Sequence, residues 1–131
     1  MPKTAPLVVV VDDERDIADM VCEFLDGDGF KTASAYDGES GLETILSRKP
    51  DAVIMDVKMP GMDGTEVVRR LRADPDAALA KTPVIILTAT RVVEDLQNKF
   101  RELGVFRWMD KPFDPDVLIQ SVREAIQSRP K

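Results

Sequence analysis

Val53-Ile54-Met55-Asp56-Val57-Lys58-Met59-Pro60-Gly61-Met62-Asp63-Gly64 is the stretch on which the fold turns. Three apolar residues read as the end of a buried strand, and a carboxylate follows at once. Pro60-Gly61 carries the chemistry of a type II turn, a fixed φ followed by a residue that accepts φ > 0. Asp63 stands where an N-cap is needed for a helix with Val67, Val68 and Leu71 on its apolar face. Asp56 is therefore expected at the carboxyl end of a strand, where open α/β sheets place their chemistry. Alone, such an aspartate is more often a loop or capping residue, so its meaning depends on what the rest of the chain brings to it.

The same unit recurs on both sides. Leu7-Val8-Val9-Val10-Val11 is an apolar, mostly β-branched run of the kind buried on both faces in parallel sheets, and Asp12-Asp13-Glu14 follows it. A helix comes next, with Ile17, Met20, Val21, Phe24 and Leu25 on one face and Gly27 and Gly29 at its end. Residues 31–36 form a weaker strand, and Asp37-Gly38 turns into a helix whose apolar face is Leu42, Ile45 and Leu46. Pro50-Asp51 precedes the strand that ends at Asp56. After the third helix, Arg72-Ala73-Asp74-Pro75-Asp76 breaks the pattern, and a polar, alanine-rich loop runs to Thr82-Pro83.

Val84-Ile85-Ile86-Leu87 is a fourth strand ending at Thr88. Thr90 is a candidate cap for a helix carrying Val93, Leu96, Phe100 and Leu103, closed by Gly104. Residues 105–109 form a fifth strand, mixed in character and so nearer an edge, before Asp110-Lys111-Pro112. Asp114-Pro115 reads as N-cap and first residue of a last helix that buries Leu118, Val122, Ala125 and Ile126. Strand and helix alternate five times with short loops. That predicts one parallel sheet with right-handed crossovers and helices on both faces. No interdomain linker, low-complexity segment or finer repeat interrupts it.

Composition narrows the function. The 131 residues suit one domain, and 44% hydrophobic with 32% charged content is that of a soluble globular protein. A net charge of −6 argues against a binder of nucleic-acid phosphates. No apolar run approaches the roughly 20 residues of a membrane span, and no signal-peptide pattern opens the sequence. The single cysteine, Cys22, excludes an internal disulfide, fits a reducing cytoplasm and reads as core beside Val21. The absence of histidine removes histidine catalysis and any internal phosphohistidine.

Four of the five expected strands end in a functional group: Asp12-Asp13, Asp56, Thr88 and Lys111. Carboxyl ends of parallel strands share one edge, so these groups are expected to converge in one crevice. Singly, each has a plain structural reading as a capping acid, a half-buried strand residue or a solvated charge. Their coincidence on one edge favours function. Three carboxylates together repel and need a cation or raised pKa values. Oxygen ligands without histidine or thiolate point to Mg²⁺ or a similar hard ion. A lysine and a hydroxyl beside it suit phosphoryl oxygens, and one carboxylate could then act as nucleophile to give an aspartyl phosphate.

These motifs resemble the receiver domain of bacterial two-component response regulators, chemotaxis-regulator-like, over residues 5–127, with residues 1–4 and 128–131 as short tails. The resemblance rests on Asp12-Asp13, on Asp56 with Met59-Pro60-Gly61-Met62-Asp63-Gly64, on Thr88-Ala89, and on Lys111-Pro112-Phe113. It implies a flavodoxin-like sheet in the order 2-1-3-4-5, with Asp56 accepting a phosphoryl group from a kinase histidine or a histidine phosphotransfer protein. Asp13 and Asp56 would ligate Mg²⁺ directly, Asp12 through water, and the Lys58 backbone carbonyl would be a further ligand. Thr88, Ala89 and Lys111 would attend the phosphoryl group, and Lys111-Pro112 would be a cis bond.

Trp108 takes the aromatic switch position three residues before the lysine, where tyrosine or phenylalanine is usual. Lys58 and Thr90 are tuning positions. Lys58 carries a charge where many relatives are neutral, and a Lys58 side chain reaching Asp12 would partly neutralise the acidic cluster. Phosphorylation would remodel the face made by the helix after strand four, strand five and the last helix. That face would be read by a downstream protein or an output domain, with homodimerisation through it as an option. The implied protein is cytoplasmic, binds no nucleic acid through this domain and no membrane, and catalyses only its own phosphorylation and dephosphorylation. It is either a stand-alone receiver or a piece of a longer chain.

Three other readings remain. A flavodoxin-type FMN carrier shares the fold but needs a hydroxyl- and glycine-rich loop after strand one, where Asp12-Asp13-Glu14 would repel a phosphate. A haloacid-dehalogenase-like phosphatase also uses an aspartate and Mg²⁺, as Asp-x-Asp after strand one, and position 14 here is Glu. A receiver used only for docking would not need the intact acidic site.

Overall fold

The computed structural model describes residues 5–89 and 91–128. The valine run forms β1 (Leu7–Val11) at the interior of the sheet, flanked by β2 (Lys31–Ala35) and β3 (Ala52–Met55). Beyond β3 lie β4 (Val84–Thr88) and, at the far edge, β5 (Arg107–Asp110). All four pairings are parallel, and the order is β2-β1-β3-β4-β5, the flavodoxin-like arrangement. The less apolar strands, β2 and β5, occupy the edges, where one side faces no partner strand.

Side-chain alternation along β1 divides the core in two. Val8 and Val10 pack with Ala18, Val21 and Leu25 of α1 (Arg15–Asp26) and with Leu118, Val122 and Ala125 of α6 (Pro115–Ser128). Val9 and Val11 face the opposite layer: Ile45 of α2 (Gly38–Arg48), Val67, Val68 and Leu71 of α3 (Gly64–Arg72), and Phe100 of α5 (Glu94–Glu102). Between α3 and β4 lies a single helical turn, α4 (Ala77–Ala80).

Capping follows the aspartates. Asp37 accepts from the Ser40 N–H at 2.8 Å, Asp63 from Glu66 at 2.9 Å and Asp114 from Asp116 at 2.9 Å.

Several expectations are corrected. The segment before Thr82 is not all loop: the Asp76 carboxylate accepts from the N–H groups of Ala78 and Leu79, and that starts α4. Met20 is not core. It is 36% exposed, and Ala18 takes the buried position two turns before Leu25. Val93 is the N-cap residue of α5, 52% exposed, rather than part of its apolar face. β5 begins at Arg107 instead of residue 105, because the Val105 N–H is spent on the Phe100 carbonyl that closes α5. Ser128 belongs to α6 and not to a tail. The Thr90 cap and the terminal segments 1–4 and 129–131 lie outside the described residues.

Arg72 ties the far end of the molecule together. Its guanidinium donates to the carbonyls of Leu103 (2.7 Å), Ala80 (2.9 Å), Thr82 (2.6 Å) and Gly104 (3.2 Å). One side chain thus satisfies the ends of α4 and α5 and the lead into β4, and burial lowers its pKa. No helix among the described residues is long and apolar enough to cross a membrane.

Candidate functional site

The chain leaves β1 toward β2 on one side and β3 on the other, so a crevice opens between the carboxyl ends of β1 and β3. Two ladder bonds carry the acidic residues there. The Asp12 N–H donates to the Ala35 carbonyl at 3.1 Å, and the Asp56 N–H to the Val11 carbonyl at 3.0 Å. Each aspartate is the first residue past its strand, fixed by the ladder itself.

Asp12 and Asp56 are buried, at 3% and 5% exposure, and Asp13 is exposed. Each of the three offers a carboxylate oxygen, and those oxygens lie within 4.8 Å of one another. Hard oxygen donors at that spacing, with no sulfur or nitrogen among them, fit a Mg²⁺-type ion. The fit is also electrostatic. Burial and the neighbouring Asp12 charge push Asp56 up to about 7, against the opposing pull of Lys111 and the Val57 N–H. A divalent cation would relieve the same repulsion.

Lys111 reaches in from the end of β5. Its Nζ lies 2.7 Å from Asp12 Oδ2, 3.3 Å from Glu14 Oε1 and 3.7 Å from Asp56 Oδ2. Burial works to lower its pKa, but the hydrogen bond and charge of Asp12, with Asp56 and Glu14, raise it. The Lys111 N–H donates to the Thr88 carbonyl at 2.9 Å, which joins the ends of β4 and β5. Thr88 is fully buried, Ala89 is exposed, and the Lys111–Pro112 peptide bond is cis. The other Asp56 oxygen, Oδ1, accepts from the Val57 N–H at 2.9 Å.

Lys58 corrects an expectation. Its side chain is exposed, and among the described residues it forms no ion pair; the cation that meets Asp12 is Lys111. Lys58 instead lines an open depression of about 610 Å³ with Asp13, Val57, Met59, Pro60, Gly61, Asp63 and Leu96. Ala89 and Trp108 lie on a second depression of about 610 Å³, shared with Arg91, Val92, Gln97, Asp110 and Lys111. Lys111 therefore borders both the acidic crevice and the tryptophan depression.

Trp108 pairs with Ile86 across β4 and β5 and is half-buried. Its ring lies 5.4 Å from Phe100, tilted by 48°, and the Arg101 guanidinium stands 5.8 Å from its centroid. Sequence reasoning missed Glu14 as a member of the site. Its signal was adjacency to the acidic pair, and nothing in the spacing foretold an ion pair with a lysine 97 positions away.

Comparison with known proteins agrees with this geometry. Residues 8–123 match the family model described as the response regulator receiver domain. The chain is 36% identical over 120 residues to the DNA-binding response regulator MtrA of Mycobacterium tuberculosis, covering 92% of this chain and 50% of that one. It therefore spans about half the length of these mycobacterial relatives. It is 32% identical over 117 residues to sporulation initiation phosphotransferase F of Bacillus subtilis, covering 89% of this chain and 90% of that protein. Among solved structures, chemotaxis protein CheY4 of Vibrio cholerae superposes with a TM-score of 0.83 at 30% identity, covering 92% of this chain and 98% of that one. The receiver domain of Francisella response regulator 1452 gives 0.82 at 31% identity, over 93% and 97% of the two chains. With its strand order, its acidic crevice and a family match over nearly its whole length, the chain belongs to the response regulator receiver domain family.

Proposed function

We propose that this receiver is a phosphoryl-accepting switch in which Asp56 is the sole acceptor. The observation that carries the reading is the meeting of Asp12, Asp13 and Asp56 within 4.8 Å, with the Lys111 ammonium 3.7 Å from Asp56. A carboxylate oxygen of Asp56 attacks phosphorus, the bond from phosphorus to the donor's imidazole nitrogen breaks, and the imidazole leaves with its electron pair. The product is an acyl phosphate on Asp56. Asp13, Asp56 and the Lys58 carbonyl would hold Mg²⁺, with Asp12 beside them; the bound ion would neutralise charge on the phosphoryl oxygens. Lys111 ion-pairs with a phosphoryl oxygen, and the Thr88 hydroxyl hydrogen-bonds another.

The donor on this reading is a sensor histidine kinase or a histidine phosphotransfer protein. The readers are a downstream protein or an output domain, and the site catalyses no reaction beyond its own phosphorylation and dephosphorylation. Incubation with acetyl phosphate and Mg²⁺ should add one phosphoryl group by intact mass, and none to Asp56→Asn. Undiminished labelling of that variant would sink the assignment, and rapid turnover of the acyl phosphate would favour a phosphatase.

The second depression, which Ala89, Trp108 and Lys111 line, supports a switch on this reading. A phosphoryl group brings about two negative charges close to Thr88 and draws its hydroxyl. On this reading Trp108 would take the space vacated behind β4, and its movement would alter the face of α5, β5 and α6. Trp108 is the only tryptophan, so its fluorescence reports this position alone. Beryllofluoride with Mg²⁺ should shift its emission or its quenching by iodide, and the shift should vanish in Thr88→Ala while Mg²⁺ still binds. An unchanged spectrum with the site occupied would mean that the tryptophan stays where it is.

A further inference from the structure

Glu14 occupies the N-cap position of α1 with an extended backbone (φ −84°, ψ 98°), yet its side chain makes no capping hydrogen bond. The carboxylate goes elsewhere: it accepts from Lys111 Nζ at 3.3 Å, across the crevice. Its own N–H donates to Asp12 Oδ1 at 2.9 Å, while Asp12 Oδ2 accepts from the same lysine at 2.7 Å. Asp12, Glu14 and Lys111 thus close a ring that latches the end of β1 to the end of β5. Asp56 stands outside it, 3.7 Å from the ammonium and beyond hydrogen-bond reach.

The three acceptors differ in exposure. The Lys111 and Asp12 side chains are 9% and 4% exposed, and the Glu14 side chain is 60% exposed. Water can replace Glu14 as a partner of the ammonium, so its loss strands no buried group. With Asp12 it keeps the ammonium at hydrogen-bond distance, while Asp56 lies beyond that distance.

We propose that Glu14 is a positioning residue for Lys111: it holds the ammonium on the β1 side of the crevice, in competition with the phosphoryl group that the lysine has to meet. The inference rests on the phosphoacceptor reading above. Glu14 sets how readily Lys111 transfers to the phosphoryl oxygens, and thereby how readily the phosphorylated arrangement forms. Because the carboxylate is solvated, the effect is modest, about two- to fivefold.

Two variants test it. Glu14→Gln keeps the shape and removes the charge. Glu14→Asp keeps the charge beside the first turn of α1 but is one methylene too short to reach Lys111. In metal-free protein, the Lys111 ¹³Cε resonance should move in both variants, because the ammonium loses an acceptor. With saturating Mg²⁺, both should bind beryllofluoride about two- to fivefold more tightly than the parent, read by Trp108 fluorescence and by isothermal titration, and the gain should shrink in high salt. Unchanged or weaker binding, a gain confined to Glu14→Gln, or an unmoved Lys111 resonance would overturn the proposal. Failure of the phosphoacceptor reading looks different: the parent itself would neither bind beryllofluoride nor label at Asp56, while the resonance arm would still report the contact between Glu14 and Lys111.

Discussion

Metal-free Asp56→Asn should melt several degrees above the parent protein at about pH 8, and the two should converge as the pH falls toward 4. Asp56 is 5% exposed and shares its crevice with Asp12 and Asp13, all offering oxygens within 4.8 Å. Burial, then the Asp12 charge, raises its pKa from 3.8 to about 7. An acid with a raised folded pKa keeps its proton where the unfolded chain has released it. The folded state therefore loses ground as the pH climbs from about 4 to about 7, and the full cost persists above that. Three pH units correspond to at most about 4 kcal/mol. The Lys111 ammonium and the open mouth of the crevice screen the repulsion, so about 1–2 kcal/mol is the expected gain. For a chain of this size that raises Tm by roughly 3–8 °C.

Mg²⁺ should reverse the ranking. The parent gains stability on binding the ion, and the variant, having lost a charged ligand, gains less. Melting curves with chelator and with excess Mg²⁺, across this pH range, check both halves. A variant that melts below the parent at pH 8 without metal would mean that Asp56 stabilises the empty crevice.

How much of this is legible in the residues varies by element. β1 and β4 announce themselves, because an apolar run flanked by turn residues has one reasonable reading in a parallel sheet. The convergence of Asp12, Asp56 and Lys111 is legible for a topological reason: carboxyl ends of parallel strands share an edge whatever the side chains do. What escapes the residues depends on reach and on local competition for hydrogen bonds. Lys58 and Lys111 both lie within plausible range of Asp12, and only the path of the backbone decides that Lys111 arrives from β5 while Lys58 turns to solvent. α4 is hidden because Asp74-Pro75 reads as a breaker, although Asp76-Ala77-Ala78-Leu79-Ala80 pairs a strong N-cap with strong helix formers. Periodicity puts Met20 in the core because an apolar stripe is broad, and its edge cannot be told from its centre by spacing.

Gly64→Ala should be the most damaging small substitution near the site, and its cost should appear in Mg²⁺ binding as well as in stability. Gly64 opens α3, and its N–H donates to the Val57 carbonyl at 2.8 Å. A Cβ there would stand 2.1 Å from the Asp56 carbonyl oxygen, 3.0 Å from the Asp56 carbonyl carbon and 3.0 Å from Met55 Cγ. Backbone atoms have no rotamer to escape into. Either α3 slides off the sheet, or the end of β3 moves and takes the Asp56 carboxylate out of register with Asp12 and Asp13. Overpacking of this kind costs about 3 kcal/mol or more, which would lower Tm by roughly 10 °C. Gly61→Ala, in the turn that leads into α3, is the matched control. Gly61 has φ of +76°, and a Cβ there would meet nothing within 4 Å, so only the left-handed backbone is penalised. That penalty is about 1–2 kcal/mol. Chemical denaturation should therefore rank Gly64→Ala well below Gly61→Ala, and only the former should lose Mg²⁺ affinity. Equal stabilities, or full Mg²⁺ affinity in Gly64→Ala, would show that α3 can retreat from β3 without disturbing Asp56.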